Sequence, residues 1–330
     1  MSNTFELDLQ TSFNQIDDYI DGNPEWKIQG KVIAIEKAGE GNMNVVVRAK
    51  LDDNTSIILK QSKPFVNKYP GIPAPVHRIE VEHTFYDVIK SNRYLSKHMP
   101  ACIGFDKENH LMILQDLGTG SDFTYLYQLG NAHKFPGKQG IAFLSTLHQL
   151  PVPEFYPDNM ELRRLNAEHI FEYPFRHHEG FDLDQIQLGL ATLALPFYES
   201  KELKSQIQGL KKSYLSTGHH LIHGDFYPGS WLDSSQGFKV IDPEFSFIGH
   251  AEHDLGVMLG HCKMARVPDS VIKEFIADYT YPVAFDEEYM WQLAGIEIMR
   301  RLIGLAQLPV DLSLEEKKVL LGWALKKMMF

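Results

Sequence analysis

Leu221-Ile-His223-Gly-Asp225-Phe-Tyr-Pro228-Gly-Ser230-Trp-Leu232, then Val240-Ile-Asp242-Pro-Glu244, then Gly249-His-Ala-Glu-His-Asp254-Leu-Gly256, is the stretch on which the rest of the chain depends. Leu221 and Ile222 bring an apolar run up to a polar loop, and Pro228 with Gly229 keeps that loop irregular. A short hairpin strand, Phe238 to Ile241, then delivers a second carboxylate, Asp242. The pattern predicts two acidic groups, from separate loops, facing one crevice.

Two such carboxylates suit phosphoryl transfer. That reaction needs little covalent help: one group must receive a hydroxyl proton, and another must hold magnesium against the phosphates. In the protein-kinase pattern His-Arg-Asp is followed by a metal-binding Asn, and the Asp of Asp-Phe-Gly holds magnesium. Here His223-Gly224-Asp225 stands for the first and Asp242-Pro243-Glu244 for the last. His-Gly-Asp alone arises by chance, and an Asp before Pro is an ordinary turn. Their spacing, with Asp254 following, favours the phosphoryl-transfer reading.

The His-Gly-Asp form resembles the aminoglycoside phosphotransferase and choline kinase superfamily, whose members phosphorylate small-molecule hydroxyls. Within it the loops are most similar to those of the methylthioribose kinase branch, which read His-Gly-Asp-x-x-x-Gly-Ser and Asp-Pro-Glu-Phe. The resemblance implies a two-lobed, protein-kinase-like α+β fold. Residues 1–116 would form a small ATP-binding lobe with an antiparallel sheet and a helix, and residues 117–330 a larger, mainly helical catalytic and substrate-binding lobe. It implies Asp225 as the base that receives the acceptor proton, with His223 beside it. Ser230 stands where most of the superfamily carries Asn. Ser230 and Asp242 would hold Mg2+, with Glu244 as a third oxygen donor. Asp254 would brace the catalytic loop; its plainer reading is a helix cap.

Bulk composition narrows the alternatives. The 330 residues include 44% hydrophobic and 23% charged side chains, an ordinary globular balance. Lys plus Arg is 32 against 43 Asp plus Glu, a net charge of -11, which argues against a nucleic-acid partner. Cys102 and Cys262 stand far apart in no metal spacing, so a reducing compartment fits. Residues 1–22 carry no apolar signal core, and no run reaches membrane-span length. The expectation is a cytoplasmic protein without a membrane partner.

Ahead of the central stretch, Lys31 to Glu36 and Val45 to Arg48 read as a hairpin with Gly39-Glu40-Gly41-Asn42 at its tip. Glycines there let backbone N–H groups approach triphosphate oxygens, although a plain hairpin turn uses the same residues. The Gly-x-Gly-Asn-x-Asn run also resembles the methylthioribose kinase loop, which implies that Gly39, Gly41 and Asn42 contact ATP. Ser56 to Lys60 reads as a strand, and a kinase strand lysine here holds phosphates and pairs with a helix glutamate. The next helix, predicted from near Pro75, offers two candidates. Periodicity favours Glu82, beside the apolar face with Phe85 and Ile89, whereas the resemblance of Arg78-Ile79-Glu80 favours Glu80. Leu111 to Leu114 is an apolar strand, and by resemblance the backbone around Gln115 and Leu117 would bind adenine. No Walker loop is present.

Helical patterns follow at residues 140–150, 203–215, 251–264, 271–279 with Ser270 as N-cap, and 287–306; another covers residues 5–20. In the last pattern of the chain's second half, Arg300 and Arg301 lie inside an apolar run, where charge is costly unless paired. Glu297, four residues before Arg301, supplies one pairing. The Arg-Arg-x-Ile-Gly-Leu-Ala run resembles methylthioribose kinase and implies substrate contact. The segment before it is shorter than in those kinases, which implies an altered substrate pocket.

The expected function is therefore an ATP- and Mg2+-dependent kinase of a small-molecule hydroxyl acceptor, a methylthioribose-like sugar favoured. Its alternatives are a fructosamine-, choline- or aminoglycoside-kinase-like enzyme, or a nucleotide-binding pseudokinase suggested by Ser230. A metal-dependent hydrolase built on His219, His220 and His223 requires a helix where the pattern reads strand. A homodimer is the candidate oligomer.

Overall fold

The computed structural model describes residues 5–39 and 42–329. The chain separates into two compact units, Met1–Ser121 with Asp233–Phe245, and Asp122–Leu232 with Ser246–Phe330.

The first unit opens with an extended segment whose Leu7 N–H donates to Gln61 Oε1 at 2.7 Å. Helix α1 (Phe13–Asp21) follows, started by a Ser12–Gln15 capping box. The predicted helix over residues 5–20 is thus shorter, because the strong start signal lies at Ser12. Strands β1 (Val32–Lys37), β2 (Val45–Leu51) and β3 (Ser56–Gln61) come next, then a small ribbon of β4 (Phe65–Val66) and β5 (Tyr69–Pro73). Helices α2 (Arg78–Ile89) and α3 (Arg93–His98) precede β6 (Cys102–Asp106) and β7 (Leu111–Gln115). Pro75 opens a turn, its carbonyl accepting from Arg78 N, and α2 begins three residues later than predicted.

The five-stranded sheet has the order β1-β2-β3-β7-β6, antiparallel throughout. Its register sets Lys60 opposite Val46 on one side and Met112 on the other. Leu7, Ile16, Ile20, Val47, Leu59 and Ile113 form the core on which α1 packs. The bulge at Cys102–Gly104 needs its glycine, since a Cβ there would lie 2.6 Å from the Trp26 ring. A two-residue strand, β8 (Ser121–Asp122), ends this part of the chain.

The second unit is mainly helical. It contains α4 (Gly137–His148), α5 (Met160–Phe171), α6 (Leu190–Glu199) and α7 (Lys201–Leu215), then β9 (His220–Ile222). Strands β10 (Trp231–Ser234) and β11 (Gly237–Val240) form the hairpin that carries Asp242 back into the first unit. Strand β12 (Phe247–Gly249) pairs antiparallel with β9, and α8 (Ala251–Met264), α9 (Asp269–Ala277), α10 (Glu287–Ile303) and α11 (Leu314–Met329) follow. Helix α9 starts at Asp269 after Pro268, so Ser270 lies inside it rather than capping it. Proline fixes φ and lacks the N–H that a helix start leaves unpaired anyway.

Helices α8 and α10 touch through glycine. A Cβ at Gly256 would lie 2.7 Å from Met290 O, and one at Gly260 would lie 2.9 Å from Ala294 O. This Gly-x-x-x-Gly face lets the backbones approach closely enough for His261 on α8 to reach Glu297 on α10.

Candidate active site

In the first unit the sheet, α2 and the Asp242 loop bring five charged side chains together. Lys60 Nζ lies 2.7 Å from Glu82 and 2.6 Å from Asp242 Oδ1. Glu82 is the helix glutamate that pairs with Lys60, because residues two apart on a helix point to nearly opposite sides. Glu80 faces elsewhere and pairs with His77 and Lys107. Burial by itself would lower the Lys60 ammonium, but Asp242 and Glu82 outweigh it and hold it above its ordinary range.

Glu244 Oε2 accepts from Asn44 Nδ2 at 3.0 Å and lies 3.3 Å from Arg78 Nε. Arg78, buried in the same place, also donates to the carbonyls of Met43, Lys63 and Pro75 and to Asn44 Oδ1. It thereby ties Met43 and Asn44 to the loop carrying Asp242.

Three carboxyl groups (Glu82, Asp242, Glu244) face two cations (Lys60, Arg78), and burial pushes Glu82 up to about 8 and Glu244 upward despite those cations. The most accessible of the three is Asp242, its side chain 45% exposed against 0% and 6% for Glu82 and Glu244. Asp242 also holds a left-handed backbone, φ 60°, of the kind that persists where surrounding contacts enforce it. A half-exposed carboxylate is a hard oxygen donor suited to Mg2+.

The remaining sequence-predicted positions of this unit are less tightly knit. Gly39 lines an open cavity of about 490 Å³ with Lys37, Val45, Val46 and Lys68, among others. Asn42 O accepts from Lys68 N at 2.9 Å. Gly41 lies outside the described residues. Gln115 N donates to Ala101 O at 2.8 Å, whereas Leu117 N–H meets no acceptor among the described residues. Between them Asp116 is clamped by Arg48 Nε at 2.6 Å and Ser56 Oγ at 2.5 Å, which fixes the turn.

In the second unit, β9 leads directly into the loop bearing Asp225. Gly224 adopts φ 82°, a left-handed conformation that favours glycine. Asp254, at the start of α8, accepts from His223 N at 2.6 Å and from Gly224 N at 2.9 Å. The backbone is therefore hung from a buried carboxylate. His148 Nε2 donates to Asp254 at 3.2 Å, and His148 Nδ1 accepts from the Tyr279 hydroxyl at 2.7 Å. A carboxylate only accepts, which fixes this tautomer. Burial pushes Asp254 up, yet the His148 hydrogen bond and nearby imidazoles outweigh it and keep the carboxyl below its usual range.

His223 is fully buried, and its Nδ1 accepts from Asp225 N at 3.4 Å. Ser230 Oγ donates to the Asp225 carbonyl at 2.9 Å, which closes the loop on itself.

The Asp225 carboxylate faces α10. Arg301 Nη2 and Arg300 Nη1 lie 3.4 and 3.5 Å from Asp225 Oδ1. Each arginine is also held from behind by Glu297: Arg301 Nε at 2.6 Å and Arg300 Nη1 at 3.2 Å. Arg300 Nη2 donates further to Asn166 Oδ1 at 3.1 Å, and the Arg301 guanidinium lies 4.6 Å from the Tyr227 ring centre. Glu297 in turn accepts from His261 Nε2 at 3.0 Å, and His261 Nδ1 accepts from the Tyr127 hydroxyl at 2.7 Å. Burial pushes the Glu297 carboxyl up, but Arg301 and Arg300 outweigh it and hold it well below its ordinary value. Two Tyr–His–carboxylate chains thus support the loop, one from behind through Asp254 and one through the arginines.

Arg78 and Asn44 fall inside runs quoted for their resemblance but carried no role there, and His148, Tyr279, His261 and Tyr127 belong to no motif in the sequence. Their one sequence signal is a polar residue inside an apolar run, such as His261 within 257–264.

Comparison with known proteins adds a family. The model described as "Phosphotransferase enzyme family" matches residues 35–291. The methylthioribose kinase of Pectobacterium carotovorum subsp. carotovorum is 28% identical over 249 residues, covering 70% of this chain; the chain spans 60% of that relative's length. The methylthioribose kinase of Bacillus velezensis is 25% identical over 346 residues, covering 88% of this chain and 84% of the relative. Among solved structures, a spectinomycin phosphotransferase superposes with a TM-score of 0.54 at 13% identity, over 97% of this chain and all (100%) of that one. A choline kinase of Cryptosporidium parvum gives 0.53 at 15% identity, over 96% and 95%. At such identities these two likenesses show the fold.

Proposed function

The chain belongs to the phosphotransferase enzyme family, and on that premise we propose that it transfers the γ-phosphoryl group of ATP to a hydroxyl of a small, uncharged, oxygen-rich metabolite, a methylthioribose-like sugar favoured. The observation that carries this is the Asp225 carboxylate with the Arg300–Arg301 pair fixed beside it by Glu297.

Asp225 receives the proton of the attacking hydroxyl, and His223, Ser230 and Asp254 act as positioning residues that hold its loop. Lys60, fixed by Glu82, anchors the phosphates, and the Leu117 N–H with its neighbours takes adenine. Asp242 would be the principal carboxylate for Mg2+, with Ser230 the hydroxyl at the superfamily's metal position and Glu244 a further oxygen. Bound magnesium would neutralise charge on the phosphates.

The acceptor class follows from charge. Asp225 and Glu297 against Arg300 and Arg301 make a neutral quartet. A cationic acceptor such as choline or an aminoglycoside finds no net negative charge there, whereas sugar hydroxyls can take charge-assisted hydrogen bonds from guanidinium. A coupled ADP-release screen with Mg-ATP over sugars, thiosugars, amino alcohols and aminoglycosides tests this. Turnover confined to the amino compounds would sink the acceptor assignment. ATP binding without turnover of any of them would favour the pseudokinase alternative.

Two variant sets check the residue roles. Asp242→Asn is expected to lower kcat and weaken the magnesium dependence about tenfold or more beyond Glu244→Gln, because Asp242 is the accessible carboxylate of the cluster and Glu244 is buried. Equal, small effects in a magnesium titration would remove the metal assignment. Arg300→Lys and Arg301→Lys should each lower kcat/KM for the acceptor, by roughly 1.5 to 3 kcal/mol or about tenfold to a hundredfold, and leave the ATP KM nearly unchanged. Lysine lacks the planar fork that lets one side chain meet Glu297 and Asp225 together. Unchanged acceptor kinetics in both variants would reduce the pair to scaffolding.

A further inference from the structure

We propose that His77, Glu80 and His110 form a binding site for a divalent transition-metal ion of the zinc type, on the face of α2 turned away from the Lys60–Glu82 pair. His77 stands at the start of α2 and Glu80 in its first turn, three residues on, so the two side chains share a face. His110 closes the turn between β6 and β7 in a left-handed conformation, φ 48°. One ligand atom from each of the three lies within 4.8 Å of the other two. His77 Nδ1 is 2.6 Å from Glu80 Oε1, and the His77 and His110 rings meet edge to face with centres 5.4 Å apart.

A second observation is independent of that proximity. His110 Nδ1 is buried and has no hydrogen-bond partner among the described residues, in a hairpin whose neighbouring polar groups are paired. A buried polar atom without a partner costs roughly 1–3 kcal/mol, and a metal ion or the water on it would satisfy this one. His77 is largely exposed, which gives an ion access.

The donor set decides the metal. Two imidazoles with one carboxylate, leaving a position for water, suit Zn2+, Ni2+ or Cu2+, whereas Mg2+ and Ca2+ prefer oxygen alone. Lys107 Nζ sits 3.0 Å from Glu80 Oε2. It orients the carboxylate from outside while its charge opposes a cation, so affinity should be moderate and should rise when that charge is removed. Binding would link the start of α2, which also carries Arg78 and Glu82, to the β6–β7 turn.

The test uses tag-free full-length protein without nucleotide, titrated calorimetrically with Zn2+ and with Ni2+, and thermal unfolding with and without each ion. One equivalent should bind and raise Tm. His77→Gln and His110→Gln should each weaken binding at least about tenfold, the loss that even an outer partner of a metal site can cause. Lys107→Ala should tighten it. Asp242→Asn should leave it unchanged, which separates this site from the carboxylates proposed to hold magnesium. Equal affinity in wild type and both histidine variants would overturn the proposal, as would loss of binding in Asp242→Asn alone. Circular dichroism of each variant confirms that lost binding is not lost folding, and a folded His110→Gln protein that still gains Tm with zinc counts against the site.

Discussion

Asp225→Asn is expected to lower kcat by about a hundredfold to ten-thousandfold, the range over which a positioned general base contributes, while the ATP KM stays near that of the wild type. The substitution is isosteric, and the loop is held by contacts that do not involve the changed oxygen. Asp254 grips the His223 and Gly224 N–H groups, and Ser230 grips the Asp225 carbonyl. What the amide loses is the proton acceptor and the negative charge between Arg300 and Arg301. Steady-state kinetics with the acceptor found in the screen provide the measurement. A fall in kcat of less than about fivefold would exclude Asp225 as the base.

Glu297→Ala is expected to be the most damaging change to stability. The carboxylate is buried with Arg300, Arg301 and His261 around it, and removing one partner from a buried ion cluster costs about 3–5 kcal/mol, because the remaining charges stay desolvated. At roughly 2–4 °C per kcal/mol for chains of this order of size, Tm should fall by several degrees or more. Glu297→Gln keeps the shape and loses only the charge, so it should fall between wild type and Ala. The pH dependence carries a sign. Glu297 has its folded value below its ordinary 4.5, so its contribution is present above about pH 4.5 and is lost as pH falls through the folded value. The stability gap between wild type and Glu297→Gln should therefore narrow in acid. A gap that is constant down to pH 3, or a Glu297→Ala protein as stable as the wild type, would show that the cluster is not the ion network described.

The sequence by itself exposed the loops proposed to carry the chemistry. His223-Gly224-Asp225, Asp242-Pro243-Glu244 and Asp254 stand close in the chain, so spacing alone could expose them, and β2, β3 and β7 read as short strands, while their antiparallel sheet was implied by the family resemblance. The family match extends well beyond these loops, over residues 35–291. Helix ends were less legible where two signals competed: Ser270 looks like a cap, but Pro268 sets the start of α9. Only the tertiary structure decided the partners. Periodicity favoured Glu82 and motif resemblance favoured Glu80; the sheet register, which fixes where Lys60 points, selects Glu82. The sequence offered Glu297 to Arg301 as a helix pair or Arg301 to substrate as alternatives, while in the fold Glu297 holds both arginines and both reach Asp225. His148 to Asp254 spans 106 residues and Tyr127 to His261 spans 134, and neither pair has a periodic signature. The physical reason is that local patterns follow from backbone geometry, which repeats every two or 3.6 residues, whereas a buried charge finds its partner only after packing has removed water and left one neighbour within hydrogen-bond reach.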